Sequence, residues 1–138
     1  MYFVSDRPGG EGKLDIWRSF ISTDKKYSKP ENLGSTLNTV DDELTPYFDS
    51  KNQSLYFSSD GHNNFGGYDI FKTKAVNAAF AEPENMGFPL NTSYNEIYFT
   101  TISDSDFLFS SNRPGSLYIK GKTCCYDIYR CKTIPKVE

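Results

Sequence analysis

The sequence predicts an all-β fold assembled from consecutive four-stranded antiparallel repeats. Three observations predict it. Aromatic residues make up 16% of the chain, with 11 Phe and 10 Tyr, and such side chains suit pleated, half-buried surfaces. The 10 Gly and 7 Pro fall in short clusters, which marks many turns. Blocks of residues also recur at an offset of about 53 positions, the length of a supersecondary unit.

The repeat is legible block by block. Tyr2-Phe3-Val4-Ser5-Asp6 returns as Tyr56-Phe57-Ser58-Ser59-Asp60 and as Leu108-Phe109-Ser110-Ser111-Asn112. Asp15-Ile16-Trp17 returns as Asp69-Ile70-Phe71 and Asp127-Ile128-Tyr129. Pro30-Glu31-Asn32-Leu33-Gly34 returns as Pro83-Glu84-Asn85-Met86-Gly87, Leu37-Asn38-Thr39 as Leu90-Asn91-Thr92, and Glu43 as Glu96. Repeat one covers about 1–40, repeat two about 41–93 and repeat three about 94–138, all within one domain.

Each repeat reads as four strands. Strand a is Leu44 to Asp49, or Glu96 to Ile102. A turn of hairpin length follows, Ser50-Lys51-Asn52-Gln53 or Ser103-Asp104-Ser105-Asp106. Strand b is the apolar run ending in Ser-Ser-Asp or Ser-Ser-Asn. A Gly-rich loop leads to strand c, the Asp-Ile-aromatic run. Strand d is a looser segment with an aromatic, Tyr27 or Phe80, three residues ahead of Pro30 or Pro83. No segment carries a sustained helical period.

Roughly 50 residues and four strands per unit match the blade of a β-propeller. A blade buries its faces only against its neighbours, and known rings use about four to eight blades. The strand order here, b-c-d, a-b-c-d, a-b-c, gives about three consecutive blades: an open arc or part of a larger ring. The favoured expectation is that flanking blades have been removed. The alternative is self-association of copies through open blade edges.

Charge and composition exclude some classes. The net charge of −3 weighs against a nucleic-acid binder, which would show a basic patch or stripe. No apolar run is long enough to span a bilayer. No secretory signal is visible, and Met1 is followed directly by strand-like Tyr2-Phe3-Val4; the expectation is an excised or processed piece of a longer protein. Of the 3 Cys, Cys125 and Cys131 lie about 20 Å apart along an extended strand, too far to bridge. That leaves three free thiols or a vicinal Cys124–Cys125 disulfide. Zinc would want more ligands at suitable spacing than one distant His provides. The expectation is no metal and no cofactor.

At these residues the sequence resembles the TolB-type, WD-like propeller repeat, in the form found in Bacteroidota envelope proteins of the OmpA-family and type IX secretion systems. The matching pieces are Leu55 to Asp60, Asp6-Arg7-Pro8-Gly9-Gly10, Gly66-Gly67-Tyr68-Asp69-Ile70-Phe71, Pro30 to Gly34 and Cys124-Cys125-Tyr126-Asp127-Ile128-Tyr129, spread over nearly the whole chain. The resemblance implies a non-enzymatic, periplasmic or outer-membrane-associated scaffold with a protein partner in the cell envelope. It also implies a role as an accessory of secretion or gliding machinery. The chain departs from that pattern in lacking an OmpA-like domain.

Repeated residues serve the blade, so one-off residues are the better functional candidates. In the b–c loop nine positions separate Asp6 from Asp15 and Asp60 from Asp69, against fifteen between Asn112 and Asp127. The glycines of this loop are expected to supply positive φ. The extra residues of repeat three include Tyr118, Lys120 and Lys122, and blade-loop insertions commonly sit on a binding face. Arg7 and Arg113 are candidate grips for an anionic partner, with loop bracing as the alternative. His62 and Asn63 are one-off loop residues; general-base work by His62 would need a partner of suitable geometry. Asp15, Asp69 and Asp127 read as loop-pinning acceptors of backbone N–H bonds, since the loop lacks the run of oxygens that calcium wants. Trp17, Phe71 and Tyr129 read as packing between sheets, with a sugar platform as the alternative. Asp41, Asp42, Glu43 and Glu96 raise a glycoside-hydrolase or glycan-binding reading. Equivalent repeat positions, however, are a poor way to split the pKa values of an acid and a base. No catalytic residue is assigned.

Overall fold

The computed structural model describes residues 1–77, 79–115 and 125–133. Among them the fold is all-β, in three antiparallel sheets that follow the repeats. The first sheet contains β1 (Tyr2–Ser5), β2 (Asp15–Arg18) and β3 (Glu31–Asn32). The second contains β4 (Glu43–Asp49), β5 (Ser54–Ser59), β6 (Asp69–Val76), β7 (Ala79–Phe80) and β8 (Glu84–Asn85). The third contains β9 (Glu96–Ser103), β10 (Asp106–Ser111) and β11 (Asp127–Lys132). The sheets do not close into a ring among the described residues.

Equivalent strands pair in equivalent registers. Ser5 stands opposite Asp15, Ser59 opposite Asp69 and Ser111 opposite Asp127. Glu43 stands opposite Ser59, and Glu96 opposite Ser111. The turn at 50–53 forms as the sequence predicts, held by Asp49, whose carboxylate accepts the Lys51 and Asn52 N–H groups at 3.0 and 3.3 Å. The matching hairpin is tighter, because β9 runs to Ser103 and β10 resumes at Asp106.

Strand d differs from expectation. In the first sheet the strand that pairs with β2 is the two-residue Glu-Asn piece β3, not the aromatic segment ahead of it; in the second, both the Glu-Asn piece β8 and the aromatic piece β7 pair with β6. Phe80 lies in β7, which pairs with the far end of β6. Tyr27 makes only an isolated bridge to Ile21.

The sheets stack face to face in chain order. β4 lies against β1 and β2, and β9 lies against β4, β5 and β6. Period-2 alternation sends the side chains of β5 to opposite faces. Leu55 and Phe57 join Ile16, Leu37 and Phe71 between the first two sheets. Tyr56 joins Ile70, Leu90, Phe99, Phe107 and Phe109 between the second and third. Both faces of the middle sheet are therefore covered, which is why Leu55-Tyr56-Phe57 is a continuous apolar run.

The b–c loop glycines correct the expectation of positive φ. Gly9 and Gly115 have it, at 94° and 102°, but Gly10, Gly12, Gly61, Gly66 and Gly67 do not. What Gly12 and Gly66 supply is room. A Cβ on Gly12 would lie 2.2 Å from the Thr39 carbonyl oxygen, and one on Gly66 2.4 Å from the Ser93 carbonyl carbon. The loop backbone at each site rests on the chain that enters the next sheet.

Candidate functional site

Three polar networks recur along the stack and account for most of the repeated polar residues. The first is built on Asp15 and Asp69. Asp15 accepts the Glu11 N–H at 2.6 Å, the Gly12 N–H at 3.2 Å and the Asn32 side-chain amide at 2.8 Å. Asp69 accepts the Phe65 N–H at 2.7 Å and the Asn85 amide at 2.8 Å. Its Oδ1 is buried with no hydrogen-bond partner among the described residues. Burial accordingly lifts the Asp69 carboxyl above its ordinary value, against the lowering effect of those hydrogen bonds. Asp127 occupies the matching place on β11, opposite Ser111.

The second network is an amide clip. Asn38 accepts the Ile16 N–H at 2.8 Å and donates to the Ile16 carbonyl at 3.0 Å. Asn91 does the same to Ile70, at 2.9 and 2.8 Å. Each clip also donates to the Asn of the short outer strand, Asn32 at 3.0 Å or Asn85 at 2.8 Å. A side-chain amide here takes the place of a strand neighbour, so the buried backbone of Ile16 and Ile70 is not left unpaired.

The third network joins Glu43 and Glu96 to the ends of β5 and β10. Glu43 accepts the Thr39 N–H and hydroxyl, both at 2.8 Å, and the Ser59 hydroxyl at 2.8 Å. Glu96 accepts the Thr92 N–H at 2.9 Å, the Thr92 hydroxyl at 2.8 Å and the Ser111 hydroxyl at 2.7 Å. Both carboxyls are wholly buried. Burial raises the Glu43 carboxyl, opposed by its Thr39 and Ser59 bonds and by the nearby His62. Asp41 pairs with Lys13 at 2.9 Å, and Asp42 accepts the Tyr68 hydroxyl at 3.1 Å. Burial, with Asp60 and Asp42 alongside, pushes that phenol up to about 12.

Over this framework sits one cationic or imidazole side chain per sheet. The Arg7 guanidinium lies 4.8 Å from the Phe3 ring centre and 5.3 Å from that of Trp17. Arg113 lies 5.0 Å from Phe109 and 5.1 Å from Tyr129. His62 packs 5.8 Å from Phe57 and 5.1 Å from Phe71. Trp17 and Phe71 are buried beneath these groups, and Tyr129 stacks on Phe109 at 5.7 Å.

The partners of these three side chains separate them. Arg113 donates to the Ser111 hydroxyl at 3.1 Å, to the Pro89 carbonyl at 3.0 Å and to the Leu90 carbonyl, and pairs with Glu96 at 3.1 Å. His62 donates from Nε2 to the Leu37 carbonyl at 2.8 Å. Leu37 and Leu90 are equivalent, so His62 does in the second repeat what Arg113 does in the third. Sequence reading treats His62 as a one-off because the substitution is shifted by one position: Gly61 stands where the arginines stand. A Cβ on Gly61 would fall 1.9 Å from Thr39 Oγ1. Arg7 donates to the Ser5 hydroxyl at 3.0 Å, and no described residue accepts from its two terminal nitrogens or pairs with it as an acid.

Asn63 is exposed, and its carbonyl accepts the Asn85 amide at 3.3 Å. Beside His62 an open hollow of about 440 Å³ is lined by Glu11, Val40 and Glu82 among others. Tyr118, Lys120 and Lys122 lie outside the described residues, as does Cys124. Among the described residues no cluster of three or more His, Cys, Asp or Glu is placed to hold a metal, and no helix is long and apolar enough to cross a membrane.

Two positions escaped the sequence reading. Ser5 repeats as Ser59 and Ser111, whose hydroxyls donate to Glu43 and Glu96, whereas the Ser5 hydroxyl accepts from Arg7. Tyr98 combines 65% exposure with a φ of 57°, matching a φ of 50° at its equivalent Thr45. Such a backbone is costly for a side chain of this size. Compared with family models, curated proteins and solved structures, the chain matches none.

Proposed function

We propose that the chain is a non-enzymatic protein-interaction scaffold of TolB-type propeller repeats, acting in the periplasm or at the outer membrane as an accessory of secretion or gliding machinery. The observation that carries the non-enzymatic part is the commitment of the repeated polar residues to one another. Glu43 and Glu96, the carboxylates best placed by sequence for glycoside hydrolysis, are wholly buried and satisfied by threonine and serine donors. A glycosidase needs its two carboxyls open to substrate on either side of a scissile bond. The aromatic equivalents Trp17 and Phe71 are likewise covered, which weakens a sugar platform at those positions.

The features that break the repeat are the loop insertion of repeat three, read from the sequence, and the Asn63 loop, whose Asn63 is exposed. Features of that kind suit recognition by a partner rather than chemistry on a substrate. The envelope location and the secretion role rest on the resemblance of the repeat motifs alone. The test is affinity capture from cell-envelope extract, run beside a glycan array and a glycoside-hydrolase panel. The reading predicts one defined protein captured and silence on both panels. Failure to capture any protein overturns it, as does turnover of a glycan.

A further inference from the structure

We infer that the hollow beside His62, at the joint of repeats one and two, is a docking site for an arginine side chain of a partner protein. This deepens the scaffold reading, on which it rests, by naming one docking element and the chemistry it takes. The hollow is an inner joint of the stack, walled by one repeat on each side, and not one of its open edges.

The joint of repeats two and three shows what such a place takes. There Arg113 lies over Phe109 and Tyr129, at 5.0 and 5.1 Å, and pairs with Glu96 at 3.1 Å. Its two terminal nitrogens donate to successive carbonyls of the chain entering the third sheet, Pro89 at 3.0 Å and Leu90. At the joint of repeats one and two the equivalent carbonyls are those of Thr36 and Leu37. His62 packs on the equivalent rings, Phe57 and Phe71, but it reaches only one of the two carbonyls. Its Nε2 donates to Leu37 at 2.8 Å. The Thr36 carbonyl accepts no hydrogen bond among the described residues.

The shorter side chain leaves room, and the charge around that room fits a cation. Thr36 and His62 line the open hollow of about 440 Å³ together with Glu11, Val40 and Glu82, and no Lys or Arg lines it. Glu11 and Glu82 are exposed, and neither carboxylate has an ion pair among the described residues. Val40, 74% exposed, offers apolar cover for the methylenes of a long side chain. Glu11 and Val40 also break the repeat, standing where repeat two has Phe65 and Ser93. A guanidinium matches better than an ammonium, because its planar fork reaches a carbonyl and a carboxylate at once. Arg113 does this with Pro89 and Glu96.

The probes are blocked glycine peptides with a central arginine, citrulline or lysine. The reporters are the backbone amide resonances of Thr36, Val40 and His62 in the whole chain. The arginine peptide should shift all of them saturably. The citrulline peptide keeps the shape and loses the charge, and should bind roughly tenfold more weakly, as expected for loss of one charge-assisted bond. The lysine peptide should also bind more weakly, since an ammonium lacks the fork. A chain carrying Glu11→Gln and Glu82→Gln, checked for an unchanged melting temperature, should lose the preference for arginine over citrulline. No saturable shift, equal binding of arginine and either control, or an undiminished preference in the double variant overturns the inference. If the double variant captures the same envelope protein as the wild-type chain, the scaffold reading stands and only this docking element is lost.

Discussion

Removing one amide clip should cost more stability than its size suggests. Asn91 is 1% exposed and holds the backbone of Ile70, itself fully buried. The Ile70 carbonyl keeps a second donor, the Met86 N–H at 3.0 Å, and the Asn85 side-chain oxygen keeps the Gly87 N–H at 2.8 Å. The Ile70 N–H has no substitute. In Asn91→Ala that donor is left buried and unpaired, at about 1–3 kcal/mol, and two further hydrogen bonds are lost. A total near 3 kcal/mol follows. With a urea slope of about 2 kcal/mol/M for a domain of this size, the midpoint should fall by about 1.5 M without a change in slope. Asn91→Asp should be worse at neutral pH, because it sets a carboxylate oxygen against the Ile70 carbonyl and the Asn85 oxygen. Equilibrium urea unfolding measures both variants. A midpoint shift below about 0.3 M for Asn91→Ala would refute the argument that the side chain stands in for a strand partner.

Other outcomes follow from the same networks. Arg113→Ala should lose about 2–3 kcal/mol, because it leaves Glu96 buried beside fewer donors, and adding Glu96→Gln should recover part of that loss in a double-mutant cycle of urea midpoints. Gly66→Ala should destabilise by about 1–3 kcal/mol, because its Cβ has no room against the Ser93 backbone; a thermal melt at wild-type temperature would contradict this. Glu43 gives a pH test. Its carboxyl is raised by burial, so the folded chain holds that proton more tightly than the unfolded chain. Its contribution to stability is therefore full in acid, below the ordinary carboxylate value, and is lost as pH rises through the folded value. Glu43→Gln can accept the Thr39 N–H and donate to the two hydroxyls. It should flatten the part of the profile that lies above the ordinary carboxylate value, as read by urea midpoints from acid to neutral pH.

Much of the architecture was legible because strands a, b and c carry apolar runs that recur in one order at near-constant spacing, shifted only by the longer b–c loop of repeat three. Strand d was legible only in part: the Phe80 segment does form a strand on β6, whereas the Tyr27 segment makes only an isolated bridge. Glu31–Asn32 and Glu84–Asn85 were missed because they are held by polar side chains and carry no apolar pattern. The role of Asn38 and Asn91 was hidden for a related reason. A repeated asparagine after a leucine looks like turn chemistry, and only the fold shows it bonded across more than 20 residues. Glycines in a loop suggest positive φ, whereas close backbone approach at Gly12 and Gly66 depends on a neighbour that sequence does not place. Arg7 and Arg113 were legible as a pair. Their difference was not, since it lies in which carboxylate and which carbonyls the stack brings to each.

The central claim is that repeated residues build the stack and repeat-breaking residues bind. The most direct measurement is quantitative capture of envelope protein by the wild-type chain and by a chain whose b–c loop in repeat three is trimmed to the nine-position spacing of the other two. The account predicts that the trimmed chain melts at the wild-type temperature and loses the captured partner. Undiminished capture by the trimmed chain, with loss of capture on substituting a repeated position such as Asp15 in a chain that remains folded, would contradict it.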